Sequence, residues 1–220
     1  MAHIVSRTQF KIIICGVLLE FISACVLAAV AYEYPNHTYY DLNLAAIQLK
    51  TEGNYKFARD VLSFAISIHP ELPDGYITRG EVYGLLHEKE KGIQDELKAL
   101  SLIHTDTDED IEFKSAAHQS LAGIYLNNKQ PIKAESELKI SLQLCPDDPL
   151  TAERLAHISL KNNEIDQGLH YLYQAKKSYK KWKLTGDYIR VSEKITDWQN
   201  KQNILRSKSL ASYQKATLIH

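Results

Sequence analysis

Apolar side chains are distributed along this chain in three ways, and each predicts a different element. Residues 12–31 read IIICGVLLEFISACVLAAVA, an apolar stretch broken only by the charge of Glu20. From about residue 40 to residue 182 the apolar positions recur at three- and four-residue intervals, the spacing that lines one face of a helix, with Gly, Asn or Pro as punctuation. A last amphipathic stretch follows Gly186-Asp187, where Asp is a favoured N-cap, and carries Tyr188, Val191, Ile195, Trp198 and Leu205 on one face. The pattern predicts an all-α protein: a short N-region (residues 1–11), an apolar helix (12–31), a polar, Tyr-rich linker (32–39), a helical domain (40–182), a capping helix (183–206) and a polar, Ser-rich tail expected to fray (207–220).

The apolar helix has about the length needed to cross a hydrocarbon core of roughly 30 Å. A central carboxylate costs about 3 kcal/mol on insertion scales, while each Ile, Leu, Val or Phe returns ~0.3–0.6 kcal/mol, so the eleven present offset Glu20. Arg7 and Lys11 precede the stretch and Glu33 and Asp41 follow it, an asymmetry that keeps the N-terminus cytoplasmic and puts the helical domain on the far, periplasmic, extracytoplasmic or luminal side. Ala29-Val30-Ala31 also fits a signal-peptidase site, which would release a soluble protein beginning at Tyr32. Gly16, Glu20, Ser23, Ala24 and Ala28 share one arc of this helix. Small residues allow close backbone approach and an intramembrane carboxylate faces protein or water, so the arc is a candidate docking stripe for another transmembrane helix.

Within the helical domain a period near 34 residues stands out. Leu42, Ala45, Ala46 and Leu49 are followed by Gly53-Asn54-Tyr55, Ala58, Leu62, Ala65 and Pro70. A second unit shows Tyr76, Gly80, Tyr83, Gly92 and Ala99 but closes on His104 rather than Pro. After an acidic insertion come Leu121, Ala122, Tyr125, Ala134, Leu138 and Pro146, then Leu155, Ala156, Gly168, Leu172 and Ala175. This order resembles the tetratricopeptide repeat (TPR) family, with units at about 39–72, 73–104, 115–148 and 149–182. Small residues at the eighth, twentieth and twenty-seventh places let helices A and B and the next helix A approach closely. Large residues at the seventh, eleventh and twenty-fourth places fill the gaps. Repeats of this kind cannot bury their apolar faces alone, so at least three must stack and the ends need caps. The expected fold is a TPR-like α-solenoid of about four helix-turn-helix repeats with a C-terminal capping helix, preceded by one transmembrane helix.

The resemblance implies that a partner segment binds along the concave surface of successive A helices. By register that groove is lined by Asn43, Ile47, Lys50, Ile77, Glu81, Gln119, Gly123, Leu126, Glu153, His157 and Leu160. The basic clamp that chaperone-binding members use for acidic C-terminal peptides is replaced here by Tyr40, Leu44, Thr78, Ala116 and Ser120. Membrane-anchored relatives with few repeats serve as scaffold or assembly subunits of envelope complexes, so the expected partners are proteins of such a complex.

Composition adds limits. The net charge of -1 gives no global field for nucleic acid, although residues 88–112 carry nine acidic and three basic residues and residues 176–220 carry eleven basic and three acidic ones. Cys145 is the sole cysteine after residue 31, so no disulfide forms within the helical domain, and its place at the end of an apolar helix suits a small buried hydrophobe. The alternating carboxylates from Asp106 to Asp110 fail as an EF-hand, because Ile111 stands where the turn needs Gly and Ala117 where the bidentate Glu belongs. They read as an acidic loop that helps start the next helix. No metal-ligand spacing, phosphate loop, dinucleotide fingerprint or nucleophile elbow occurs, so neither a catalytic site nor a cofactor or metal is expected.

Overall fold

The computed structural model describes residues 35–104 and 106–217, and among these every regular element is an α-helix. They are α1 (Pro35–Thr51), α2 (Tyr55–Ile68), α3 (Pro73–Leu85), α4 (Lys89–Leu102), α5 (Asp108–Asn127), α6 (Pro131–Leu144), α7 (Pro149–Lys161), α8 (Ile165–Lys181) and α9 (Thr185–Thr217). Each odd-numbered helix from α1 to α7 packs antiparallel on the even-numbered helix that follows, and successive pairs stack. The apolar stretch of residues 12–31, with Gly16, Glu20, Ser23, Ala24 and Ala28, lies outside the described residues. Among the described residues no helix is long and apolar enough to cross a membrane.

The pairs share one turn. Gly53 (φ 82), His87 (φ 60), Lys129 (φ 57) and Asn163 (φ 66) each take left-handed backbone at the fifteenth place of their repeat. The next amide reaches back to the last full turn of helix A: Asn54 N to Leu49 O at 2.8 Å, and Glu88 N to Tyr83 O, Gln130 N to Tyr125 O and Glu164 N to Ser159 O, each at 2.9 Å. This bond satisfies a carbonyl that a helix end would leave unpaired. Lys183 (φ 57) and the bond from Leu184 N to Tyr179 O at 3.0 Å repeat the device between α8 and α9. The turns between repeats use Pro instead, at the first helical position of α3 and α7, where its missing donor costs nothing.

The small residues sit where the repeat requires them. Ala46, Ala122 and Ala156, then Ala58 and Ala134, then Ala65, Ala99, Ser141 and Ala175 are all completely buried. Large residues close around them to form a continuous core through α5, α6, α7, α8 and α9, with Leu138, Leu155, Leu172 and Val191 at its centre. The N-terminal half has no equivalent; its core is split into three smaller clusters.

Polar side chains enter the interior of the second repeat. At the twenty-fourth place, where Leu62, Leu138 and Leu172 stand in the other units, the second repeat has Glu96, which is fully buried. Ser120 Oγ of α5 donates to Glu96 Oε1, while Oε2 is buried without a partner. Gly80 is what admits it, since a Cβ there would stand 2.2 Å from Oε1. Burial pushes the Glu96 carboxyl well above its ordinary range; the hydrogen bond from Ser120 offsets this in part, and the negative charges of Glu81 and Asp95 add to it. Beside it Arg79 forks onto Asp95, Nε to Oδ2 at 2.7 Å and Nη2 to Oδ1 at 2.9 Å, with Nη1 donating to Ser63 Oγ at 3.2 Å.

Element boundaries depart from the sequence reading at three places. Helix α1 begins at Pro35, inside the stretch read as linker, and Tyr39 is completely buried: its hydroxyl donates to Asp74 Oδ1 at 2.5 Å and accepts from Gly75 N at 2.9 Å, tying the first repeat to the second. The acidic insertion is helical from Asp108. Thr107 caps it, its Oγ1 accepting from Asp110 N at 3.2 Å, and three acidic residues occupy the first turn, where the helix dipole favours them. Finally, α9 runs to Thr217 through the stretch expected to fray, because residues 187–217 contain neither Gly nor Pro to stop it.

Candidate partner-binding groove

Helices α1, α3, α5 and α7 line one side of the stack with three adjoining clefts. In the first, of about 470 Å³, Lys50, Glu81, Gln119, Gly123, Asn127 and Arg154 meet. Lys50 and Glu81 form an ion pair from α1 to α3. Gly123 opens this floor, because a Cβ there would meet nothing within 4 Å; the glycine serves no close packing. A second cleft, of about 340 Å³, is lined by Leu126, Glu153, Arg154, His157 and Arg190. The third and largest, about 600 Å³, lies toward the turns between repeats. Gln119 is common to the first and third, Leu150 to the second and third, and Arg154 to the first and second, so the clefts form one continuous groove.

The groove residues read from the sequence separate into three groups. Lys50, Glu81, Gln119, Gly123, Leu126 and His157 line the clefts, and Ile47 is exposed on α1. Asn43, Ile77 and Leu160 are turned to structural use. Asn43 is buried and donates from Nδ2 to Asp74 Oδ2 at 2.8 Å. Ile77 lies in the core with Ala99 and Ala117, because the early start of α5 brings Phe113 and Ala116 over that cluster. Leu160 fills the space at Gly168, where a Cβ would lie 2.5 Å from its Cγ, and it also borders a smaller cleft beside Glu153 and His157.

Glu153 faces the groove yet is already committed. Arg190 reaches it with Nη1 to Oε2 at 2.7 Å and Nη2 to Oε1 at 2.6 Å, Lys194 Nζ with Oε2 at 2.9 Å, and Tyr179 donates its hydroxyl to Oε1 at 2.7 Å. Burial would raise this carboxyl, but the three donors and the charge of Lys194 outweigh it and hold the group down at about 2. This cluster fastens α9 to α7. Arg154, one residue on, is exposed between two clefts and carries no ion pair among the described residues. Cys145, expected to be buried, is half-buried at the C-cap of α6 and lines the largest cleft.

Sequence reasoning missed Arg154, which appears only when the register of the fourth repeat is carried to its sixth place. It also missed the apolar floor of the largest cleft, built from Leu150 at the start of α7 and from Trp182 and Leu184 in the turn between α8 and α9. No repeat position marks Trp182 or Leu184, because they lie where α8 outruns the usual length. Among the described residues no group of His, Cys, Asp or Glu is arranged to hold a metal ion.

No protein-family model and no curated protein matches the chain. Solved structures do. Yeast Tom70 superposes with a TM-score of 0.65 at 15% identity over 86% of this chain, which spans 38% of that one. MamA gives 0.54 at 16% identity, covering 81% of this chain and 97% of its own. TTC0263, a thermophilic TPR protein of Thermus thermophilus, gives 0.53 at 21% identity, covering 80% and 95%. At these identities the likeness shows the fold: the described residues form a TPR-like helical stack.

Proposed function

We propose that the chain is a non-catalytic scaffold or assembly subunit, tethered to a membrane by residues 12–31, whose groove holds an extended segment of a partner protein of the same membrane or envelope complex. The observation that carries the reading is the continuity of the three clefts through Gln119, Leu150 and Arg154, on the side formed by the A helices. Exposed side chains such as Ile47, Leu126 and His157 leave polar and apolar contacts unfilled along it. The apolar length and flanking charges of residues 12–31 support the tether, and favour repeats on the far side of the bilayer.

A photo-crosslinking amino acid at Gly123, set against one at Lys139 on the opposite helix row, tests the groove in the intact chain extracted with mild detergent. Crosslinks to one defined partner from Gly123 and none from Lys139 are expected. Equal labelling from both positions, or none from either, defeats the reading. N-terminal sequencing of the same preparation tests the tether, since a mature start at Tyr32 would mean release as a soluble binding module.

A further inference from the structure

The largest cleft differs from the rest of the groove in its chemistry. Its floor is apolar and open: Leu150, Trp182 and Leu184, on α7, just after α8 and just before α9, are 57%, 62% and 45% exposed and converge on one space, with Ala116, Cys145 and Pro146 beside them. Scattered exposed apolar residues need no explanation, but three large ones around a single cavity of about 600 Å³ mark a contact surface. That volume suits one or two large side chains; ligand clefts run from about 300 to 1,000 Å³.

Its rim is acidic. Glu112, Asp147, Asp148 and Asp187 line it, and no Lys or Arg does. Asp148 is partly used as the cap of α7, accepting from Leu150 N at 3.1 Å and Thr151 N at 3.2 Å. Asp147 pairs with Lys181 and Asp187 with Arg190, and neither cation lines the cleft. Glu112 is exposed and has no ion pair among the described residues. The rim charge that is not offset by a paired cation is therefore negative, carried by Glu112 and Asp148 beside an apolar floor, and the neighbouring clefts, which contain Lys50, Arg154 and Arg190, do not share this character.

We infer that this end of the groove seats a cationic partner segment, with a large apolar side chain on the Leu150–Trp182–Leu184 floor and flanking Lys or Arg at the acidic rim. The inference rests on the groove reading above and names the chemistry of its occupant. Charge complementarity selects the partner and raises the rate of encounter, while burial of the apolar side chain supplies most of the affinity.

Three fluorescent peptides of about twelve residues probe this on the intact chain in detergent: Leu-Trp flanked by lysines, the same with glutamates for lysines, and the lysine peptide with Leu-Trp replaced by Ser-Ser. The lysine Leu-Trp peptide should bind about tenfold more tightly than either other at about 50 mM salt, and its lead over the glutamate peptide should shrink at about 500 mM. Glu112→Lys should erase that preference while the circular dichroism spectrum is unchanged. Leu150→Glu should weaken binding of the lysine peptide, and its thermal unfolding monitors the fold. Equal or tighter binding of the glutamate peptide overturns the inference, as does failure of all three peptides to bind. In either event the crosslinks from Gly123 decide separately whether the groove reading stands.

Discussion

The second repeat and the fourth are built to the same spacing but held by opposite chemistry. In the fourth, Leu155 and Leu172 close on Ala156 and Ala175 within a core that runs unbroken from α5 to α9, and the ionic cluster of Glu153 lies at its edge. In the second, Arg79 replaces the seventh-place apolar residue and Glu96 the twenty-fourth, and both are drawn into the interior. Small residues at fixed places are thus enough to set the geometry of the stack, whereas the filling can change from hydrocarbon to buried hydrogen bonds. The exchange concentrates risk, because a lost methyl group leaves a cavity but a lost partner leaves a buried charge.

The sharpest way to break the contrast is Asp95→Ala. It strands the Arg79 guanidinium, whose side chain is 17% exposed, and should cost about 3–5 kcal/mol in urea unfolding followed by circular dichroism. Replacing both partners, Arg79→Met with Asp95→Leu, should recover most of that loss; a double variant as unstable as the single would refute the assignment. In the fourth-repeat core the corresponding insult is Leu155→Ala at the completely buried seventh place, expected to cost about 2–5 kcal/mol with no dependence on pH between about 5 and 8.

Acid and base should then divide the two regions. Folded Glu96 holds its proton more tightly than the unfolded chain does at its ordinary 4.5, so the folded state carries more protons. Stability should fall as pH rises from about 4.5 through the raised folded-state value, then level off, and Glu96→Gln should flatten this limb. Glu153 behaves inversely. Its folded value of about 2 makes its contribution complete above 4.5 and lost as pH falls through 2, a loss that Glu153→Gln should abolish. Denaturation midpoints across about pH 2–9 read both limbs, and the same slope in wild type and variant at either site would count against the corresponding assignment. The smallest effect belongs to Gly123→Ala. A mid-helix glycine with open space beside it costs about 0.5–1 kcal/mol relative to Ala, so the variant should gain that much.

The alanines at the eighth, twentieth and twenty-seventh places were legible because their role is set by spacing along one chain. Glu96 was legible in principle: the register that puts Leu62, Leu138 and Leu172 at the interior puts it there too. Tyr39 was not, since its burial depends on Asp74, 35 residues away. Ile77 was misplaced for a related reason. The run from Asp106 to Asp110 reads as loop by charge, yet its helical continuation carries Phe113 over that site. The largest cleft depends on two junctions, α6–α7 and α8–α9, meeting beside α5, which no local pattern encodes.

The length of α9 has a consequence for how the molecule opens. At 1.5 Å per residue its 33 residues extend about 50 Å, against about 26 Å for the 17 of α8, the neighbour it packs on. Its last turns outrun that neighbour, and the end of a helix is the part of it that opens first. Amide protons there should exchange with solvent long before those near Val191 and Ile195, and removal of residues 207–220 should leave the unfolding midpoint of the repeats where it was.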